Sequence, residues 1–300
     1  MLSILIPSYN HARYVEEAIA SALMIDVPGK RIIVIDDAST DGSADLIADY
    51  LRRDGSGNIE FIRKPINRGA IDSVIIFLSM CTTEYVYFMA SDDVAVPSGI
   101  ELLVSVLQTT QDIQFAIGGG FNVYSDGKTT PIYGSKHKKF FALQRREMQK
   151  SIFLDSPSPI LCQSSVFRLQ AIFAVGGFDP SFIADDYALF TRLFLKYGTS
   201  GVNFKYLPET ICVRYRHHEN NSYRDLPRQA LATRQVIIDM APSLIRMRAA
   251  GDRLAYYMLV AIRRRDKIAA RKIFGMLSRA ELPWFALGLI RNSFKYLLPR

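Results

Sequence analysis

The feature that most constrains this chain is an alternation that fills its first 120 residues. Short runs rich in β-branched residues (3–6, 31–35, 59–62 and 85–89) are separated by segments 14–23, 43–51 and 70–80, each of helical length and apolar spacing. A strand followed by an amphipathic helix returns the chain to start a parallel neighbour. The repetition therefore predicts an α/β fold with a mostly parallel sheet covered by helices on both faces. Ligands of such sheets bind beyond the carboxyl ends of the strands. Two of the runs end there in acidic pairs, Asp36-Asp37 and Asp92-Asp93.

The first pair opens Asp36-Asp37-Ala38-Ser39-Thr40-Asp41-Gly42. It reads as a strand end with a turn and a helix N-cap, or as a carboxylate free to hydrogen-bond a base or ribose. A calcium loop starting at Asp37 would need a glutamate where Ala48 stands. An aspartyl-phosphate enzyme would need a second acid where Ala38 stands. The second pair follows the apolar run 85–90, and Pro97 closes the loop after it. Adjacent carboxylates at the end of a buried strand repel and lose hydration. A divalent cation bridging them to a diphosphate would relieve both costs through the oxygen ligands that Mg²⁺ or Mn²⁺ take. The alternative is a solvated loop.

The middle of the chain is less regular. Asp126-Gly127 predicts a hairpin turn, and residues 136–139 read as a short basic loop. Segment 160–167 reads as a strand, Gly176-Gly177 as a turn, and 185–197 as a helix. From Leu226 onward the pattern is helical, with breaks expected at Pro242, Gly251 and Pro283. Charge divides at the same place. Lys and Arg lag Asp and Glu 21 to 24 over residues 1–223 and outnumber them 16 to 5 over 224–300. The expectation is a catalytic domain over 1–223 and a basic helical region over 224–300. The acidic part has no basic stripe interleaved with aromatics, which argues against nucleic acid as partner. In the tail, Trp284, Leu287, Arg291, Phe294 and Leu298 recur at three- and four-residue steps, with Lys295 and Arg300 beside them. Such a helix suits an anionic membrane surface; the alternative is an appendage packed on the catalytic domain or on a second subunit. No apolar run reaches the length of a membrane span, the N-terminus lacks a signal-peptide pattern, and three scattered cysteines suit a reducing compartment. A cytoplasmic protein, peripheral on the inner membrane face if the tail binds lipid, is expected.

Six segments in order resemble the motif series of family 2 glycosyltransferases across about residues 2–223. They are Ile6-Pro7-Ser8-Tyr9-Asn10, Asp36 to Gly42, Asn67-Arg68-Gly69 and Ser91-Asp92-Asp93. Gly176-Gly177-Phe178-Asp179 with Ala184-Asp185-Asp186, and Tyr215-Arg216-His217-His218 through Ser222, complete the series. The resemblance implies a GT-A fold and inverting transfer of a sugar from a nucleoside diphosphate, uridine by family habit, to a hydroxyl of a glycan or lipid-linked acceptor. It implies that Pro7 and Tyr9 hold the nucleobase, that Asp37 accepts a hydrogen bond from it, and that Asp92 lies near the ribose and donor sugar. Asp93 would ligate Mn²⁺ or Mg²⁺, with His218 approaching the metal or the diphosphate. Arg68 would support the donor, or is a surface arginine. Asp186 would be the base that takes the acceptor proton, and Asp185 would bind the acceptor; both also suit capping of the helix they open. Val74-Ile75 stand where the family often has Arg-Asn, and Ala90 where it often has a further Asp. A nucleotidyltransferase would want a glycine-rich phosphate loop that Pro7-Ser8-Tyr9-Asn10 does not offer. An inactive nucleotide-binding module would have no need of Asp186.

Overall fold

The computed structural model describes residues 1–55, 57–182, 185–219 and 221–297; the side chains of Asp185, Ser222 and residues 294–297 lie outside the described set. Half of the sheet is parallel. Strands β1 (Leu2–Ser8), β2 (Arg31–Asp36), β3 (Ile59–Arg63) and β4 (Tyr85–Phe88) lie in the spatial order β3-β2-β1-β4. Helices α1 (Val15–Leu23), α2 (Ser43–Asp54) and α3 (Ala70–Met80) connect them. Side chains of a strand alternate between faces, and the sequence obeys this on both sides. Leu5, Ile33, Ile35, Val86 and Phe88 pack with Phe77 of α3, whereas Ile4, Ile6, Ile32, Val34 and Tyr87 pack with Val15 and Ile19 of α1. The chain builds outward from β1 through β2 to β3, then returns to the other side of β1. That reversal opens a crevice at the carboxyl ends of β1, β2 and β4.

Beyond β4 the sheet is mixed. Strands β5 (Val94–Ala95), β6 (Phe115–Val123), β7 (Thr129–Pro131), β8 (Ser165–Arg168) and β9 (Phe204–Arg216) complete nine strands, ordered β4-β8-β6-β9-β5 with β7 beside β6. β8 runs antiparallel to both β4 and β6, while β9 runs parallel to β6. The β6–β9 register slips twice between Gly118 and Gly120. Backbones meet there: a Cβ on Gly119 would lie 2.1 Å from the Pro208 carbonyl oxygen. The remaining helices are α4 (Pro97–Thr109), α5 (Ser135–Phe141), α6 (Arg145–Leu154), α7 (Leu169–Ala174), α8 (Asp185–Tyr197), α9 (Leu226–Met240), α10 (Ser243–Arg263), α11 (Lys267–Gly275) and α12 (Leu282–Leu297).

Three expectations need correction. The basic stretch 136–139 is helical, part of α5, because His137, Phe140 and Phe141 turn inward and leave the lysines outside. In segment 160–167 the strand starts only at Ser165; buried Ile160 and Leu161 precede a single 3-10 turn. Gly251 does not break a helix but lies inside α10. The basic region also packs on the rest: Ile237, Ala241, Ala249 and Ala250 share a core with Leu189, Phe190 and Leu193 of α8. No helix among the described residues is long and apolar enough to cross a membrane.

Candidate active site

Two loops are laced together at the ends of β1 and β2. Asn10, at φ +55°, donates its backbone N–H to Ser39 Oγ (2.9 Å), and its Oδ1 accepts the Thr40 N–H (2.8 Å). The two aspartates of the first pair then diverge. Asp36 folds back on its own turn, accepting from the N–H and the hydroxyl of Ser39. Asp37 is buried and faces the crevice, where Oδ1 accepts from Lys64 Nζ (2.7 Å) and the Arg68 N–H (2.9 Å), and Oδ2 from the Gly69 N–H (2.7 Å). Lys64, itself buried, also pairs with Asp72 at 2.7 Å. The segment from Asn67 to Gly69 is thereby clipped to the end of β2. Tyr9 is 44% exposed above Pro7 of β1, and the guanidinium of Arg68 pairs with no carboxylate among the described residues.

The second pair divides in the same way. Asp93 is fully buried; its Oδ1 accepts the Arg216 N–H (2.9 Å), tying the end of β9 to this loop, while its Oδ2 has no hydrogen-bond partner among the described residues. Burial first, and then the charge of Asp92, hold the Asp93 carboxyl well above the usual carboxylate range. Asp92 meets two imidazoles. His218 Nε2 lies 2.8 Å and His11 Nε2 3.7 Å from Asp92 Oδ2, and Asn221 Nδ2 lies 3.5 Å from the same oxygen. His11 Nδ1 hydrogen-bonds Ser91 Oγ at 2.8 Å, which orients its Nε2 toward Asp92. Burial lowers the pKa of His11 despite Asp92, which favours the neutral ligand form. His218 is stacked on Tyr14 at 5.1 Å, and the Arg216 guanidinium covers the same ring at 5.2 Å. One donor atom each from His11, Asp92 and His218 falls within 4.8 Å of the others.

These residues suit a divalent ion. Buried Asp93 carries a desolvation cost, and two imidazoles beside the Asp92 carboxylate supply the nitrogen and oxygen donors that a divalent transition-metal ion takes. The candidate group that the geometry brings together is Asp92 and His218 with His11; Asp93, the expected ligand, is not among its three members.

Asp186, the second residue of α8, accepts the Cys162 N–H at 3.3 Å. Its charge is among those that push up the pKa of Asp93 and of Tyr215, so the base candidate and the acidic pair share one field. Tyr215, shifted mainly by burial, feels the charges of Asp93, Asp92 and Asp186 together. Asp186 lines a cavity of about 660 Å³ together with Arg68, Gly69, Asp72 and Tyr215. Asp185 opens α8, and its side chain is outside the described set. Sequence reasoning passed over His11, Lys64, Asn221 and Tyr14. His11 sits directly after Asn10 of the first motif, and Asn221 sits inside the last.

Residues 3–169 match the family described as Glycosyl transferase family 2. The chain belongs to that family. A Haemophilus influenzae protein called an uncharacterized glycosyltransferase is 31% identical over 138 residues, 46% of this chain and 42% of the relative. The poly-beta-1,6-N-acetyl-D-glucosamine synthase of Staphylococcus epidermidis is 22% identical over 70% of this chain and 51% of its own. The chain thus spans about half the length of the curated relatives it matches. Among solved structures, S. aureus TarS 1–349 in complex with UDP-GlcNAc has a TM-score of 0.60 at 15% identity, covering 99% of this chain and 81% of that one. The Pyrobaculum calidifontis mannosyltransferase PcManGT, in complex with GDP-Man and Mn²⁺, has a TM-score of 0.58 at 16% identity, covering 99% and 86%. At these identities the likeness shows the fold, which is GT-A.

Proposed function

We propose that the protein is an inverting, Mn²⁺-dependent glycosyltransferase that moves a sugar from a nucleoside diphosphate, probed first as UDP, to a hydroxyl of a surface glycan or lipid-linked acceptor. The observation that carries this reading is the meeting, at the carboxyl ends of β1, β2 and β4, of a buried Asp37, the His11–Asp92–His218 group and the field of Asp186. The bound structures of the neighbours, with UDP-GlcNAc and with GDP-Man and Mn²⁺, support a nucleotide-sugar ligand and this choice of metal.

In this reading Tyr9 covers one face of the nucleobase, and Asp37 accepts from its edge with a carboxylate already oriented by Lys64 at Oδ1 and by the Gly69 N–H at Oδ2. Asp92, His11 and His218 hold the cation. A bound divalent ion supplies Lewis-acid stabilisation of charge developing on the leaving diphosphate. Asp186 takes the acceptor's hydroxyl proton at its carboxylate as that oxygen attacks the anomeric carbon from the side opposite the diphosphate. A single displacement of this kind inverts configuration, and carboxylates serve at anomeric centres elsewhere. Arg68, with no carboxylate partner among the described residues, offers a cation to the donor, and Asp185 a second carboxylate to the acceptor. We further assign the outer face of α11 and α12 to an anionic membrane surface, where a lipid-linked acceptor would be met.

The test is release of free nucleoside diphosphate from a panel of nucleotide sugars with Mn²⁺ by wild type and by Asp186→Asn. The variant is expected to lose at least ~10²-fold in transfer rate, the scale of general-base catalysis, with nucleotide affinity within about twofold. Release of pyrophosphate, or transfer that survives in Asp186→Asn, overturns the reading.

A further inference from the structure

The cavity that holds Asp186 continues into a second one. They measure about 660 and 520 Å³ and share a wall made by Ser156, Tyr215, Tyr223, Arg253 and Tyr257. Two of those residues, Arg253 and Tyr257, belong to α10, so the basic region builds part of the cleft. Arg253 is half-buried; it donates from Nη2 to Ser156 Oγ at 2.9 Å and lies 5.8 Å over the ring of Tyr187, the neighbour of Asp186. None of the described carboxylates pairs with it. The same holds for Arg228, which lines the first cavity, and for Arg264, which lines the second, both exposed. By contrast two other acids along this cleft pair with cations: Asp252 with Arg291 at 3.1 Å and Asp72 with Lys64 at 2.7 Å.

Resting on the glycosyl-transfer reading above, we propose that this cleft is the acceptor site and that Arg253 selects an acceptor carrying an oxyanion, a phosphate or a carboxylate. The physical reason is the surplus. A guanidinium held by one neutral hydroxyl keeps most of its planar fork of donors unused, and that fork matches the two oxygens of a carboxylate or phosphate. Three such cations along one concave wall attract an anionic chain, whereas a neutral glycan would leave them to solvent. Tyr223 and Tyr257, which line both cavities, supply the flat apolar faces that sugar rings pack on. An anion bound at Arg253 sits in the cavity that Asp186 lines, so the contact can position a hydroxyl toward the base.

The experiment is calorimetric titration of the full chain, with and without UDP, by three probes: a glycerol-phosphate oligomer, a glucuronate oligosaccharide and a neutral N-acetylglucosamine oligosaccharide. Both anionic probes, or the one that is the true source, should bind at least about tenfold tighter than the neutral one, the scale of one charged hydrogen-bonding pair. Arg253→Gln should remove most of that ratio without changing affinity for the neutral probe. Arg264→Gln, at an exposed position that does not threaten folding, should reduce it by about threefold. Whichever anionic probe binds tighter identifies phosphate or carboxylate as the group read. Equal affinity for neutral and anionic probes, or a ratio unchanged in both variants, overturns the proposal. If the anionic preference holds but no nucleotide sugar is turned over, the glycosyl-transfer reading fails while the selection of an oxyanion by Arg253 stands.

Discussion

His137 can satisfy its surroundings in one protonation state only. Its Nδ1 accepts the Gly134 N–H at 3.2 Å and its Nε2 donates to the Pro159 carbonyl at 2.8 Å, which requires the neutral ring protonated at Nε2. Burial lowers its pKa, the Pro159 carbonyl works against that shift, and Lys136 adds to it. The sign follows. With the folded pKa below the unfolded value of 6.5, the unfolded chain takes up a proton first as pH falls. Stability should therefore be flat above about pH 7 and decline below about 6.5. His11 and His217, also lowered by burial, add to the same slope. Thermal denaturation between about pH 5.5 and 8 should show a shallower decline for His137→Gln, and a slope equal to wild type would exclude this account. The active-site histidines yield a second expectation. His11→Ala should weaken Mn²⁺ binding by ~10-fold or more, read by equilibrium titration of the metal with UDP absent; unchanged affinity would remove His11 from the ligand group. This residue also marks where sequence reading stops. Asp37, Asp92, Asp93 and His218 are legible because each sits in a motif at a strand end. His11 is a polar loop residue whose meaning depends on Ser91 and Asp92, some 80 positions away, and on His218 beyond them. Lys64 is hidden for the same reason, since nothing local marks a lysine as the buried partner of Asp37.

At the scale of elements, the contact of α10 with α12 shows how a basic tail becomes part of the fold. A Cβ on Gly251 would lie 2.7 Å from the Glu281 carbonyl oxygen and 2.8 Å from Trp284 Cβ, so only glycine lets the two helices approach this closely. Beside it Glu281 is fully buried and accepts from Arg234 of α9 through both oxygens, at 2.8 and 3.1 Å, and from the Ser278 N–H at 2.8 Å. Removing the arginine strands a buried carboxylate. Arg234→Ala should cost about 3–5 kcal/mol, and Gly251→Ala about 1–3 kcal/mol through overpacking. Urea denaturation of both measures these losses; a change under about 0.5 kcal/mol in Arg234→Ala would mean the acid is not buried in solution. From sequence the glycine reads as a break because propensity counts its local cost and not the helix it faces. The elements that periodicity does reveal, β1 to β4 with α1 to α3 and α8, are those whose apolar spacing reports a single buried face. Strand β8 is obscured because Ile160 and Leu161 ahead of it are buried without being extended into the ladder. The parallel pairing of β6 with β9 joins segments some 90 residues apart and leaves no local trace.

The whole molecule is electrically divided, and the division has an apolar counterpart. Residues 224–300 carry 16 basic against 5 acidic side chains, while the rest is slightly acidic. On α12 the inward side is filled by Phe285, Leu289 and the Gly288 contact with Ala255; Trp284, beside Gly251, forms the border at 37% exposure, and Leu287 and Ile290 face outward at 55% and 68%. Ile268 and Phe274 of α11 stand out at 72% and 58%. Arg291, read from sequence as a border of the apolar face, is instead occupied by Asp252 at 3.1 Å, and Ile290 takes its place on the stripe; Leu298 and Arg300 lie outside the described residues. An exposed apolar stripe among uncompensated cations is the arrangement that anionic lipid rewards, with ~1 kcal/mol for each basic side chain near the surface in addition to the apolar burial. The full chain should therefore sediment with vesicles containing phosphatidylglycerol and not with pure phosphatidylcholine, and lose that binding as salt rises from about 0.1 to about 0.5 M. Leu287→Asp with Ile290→Asp should weaken partition at least about tenfold without lowering the melting temperature, because both side chains already face outward. Equal binding to neutral and anionic vesicles would remove the role of the charge, and unaltered partition of the double variant would remove that of the stripe. In either case the basic surface would serve the acceptor cleft at Arg253 alone.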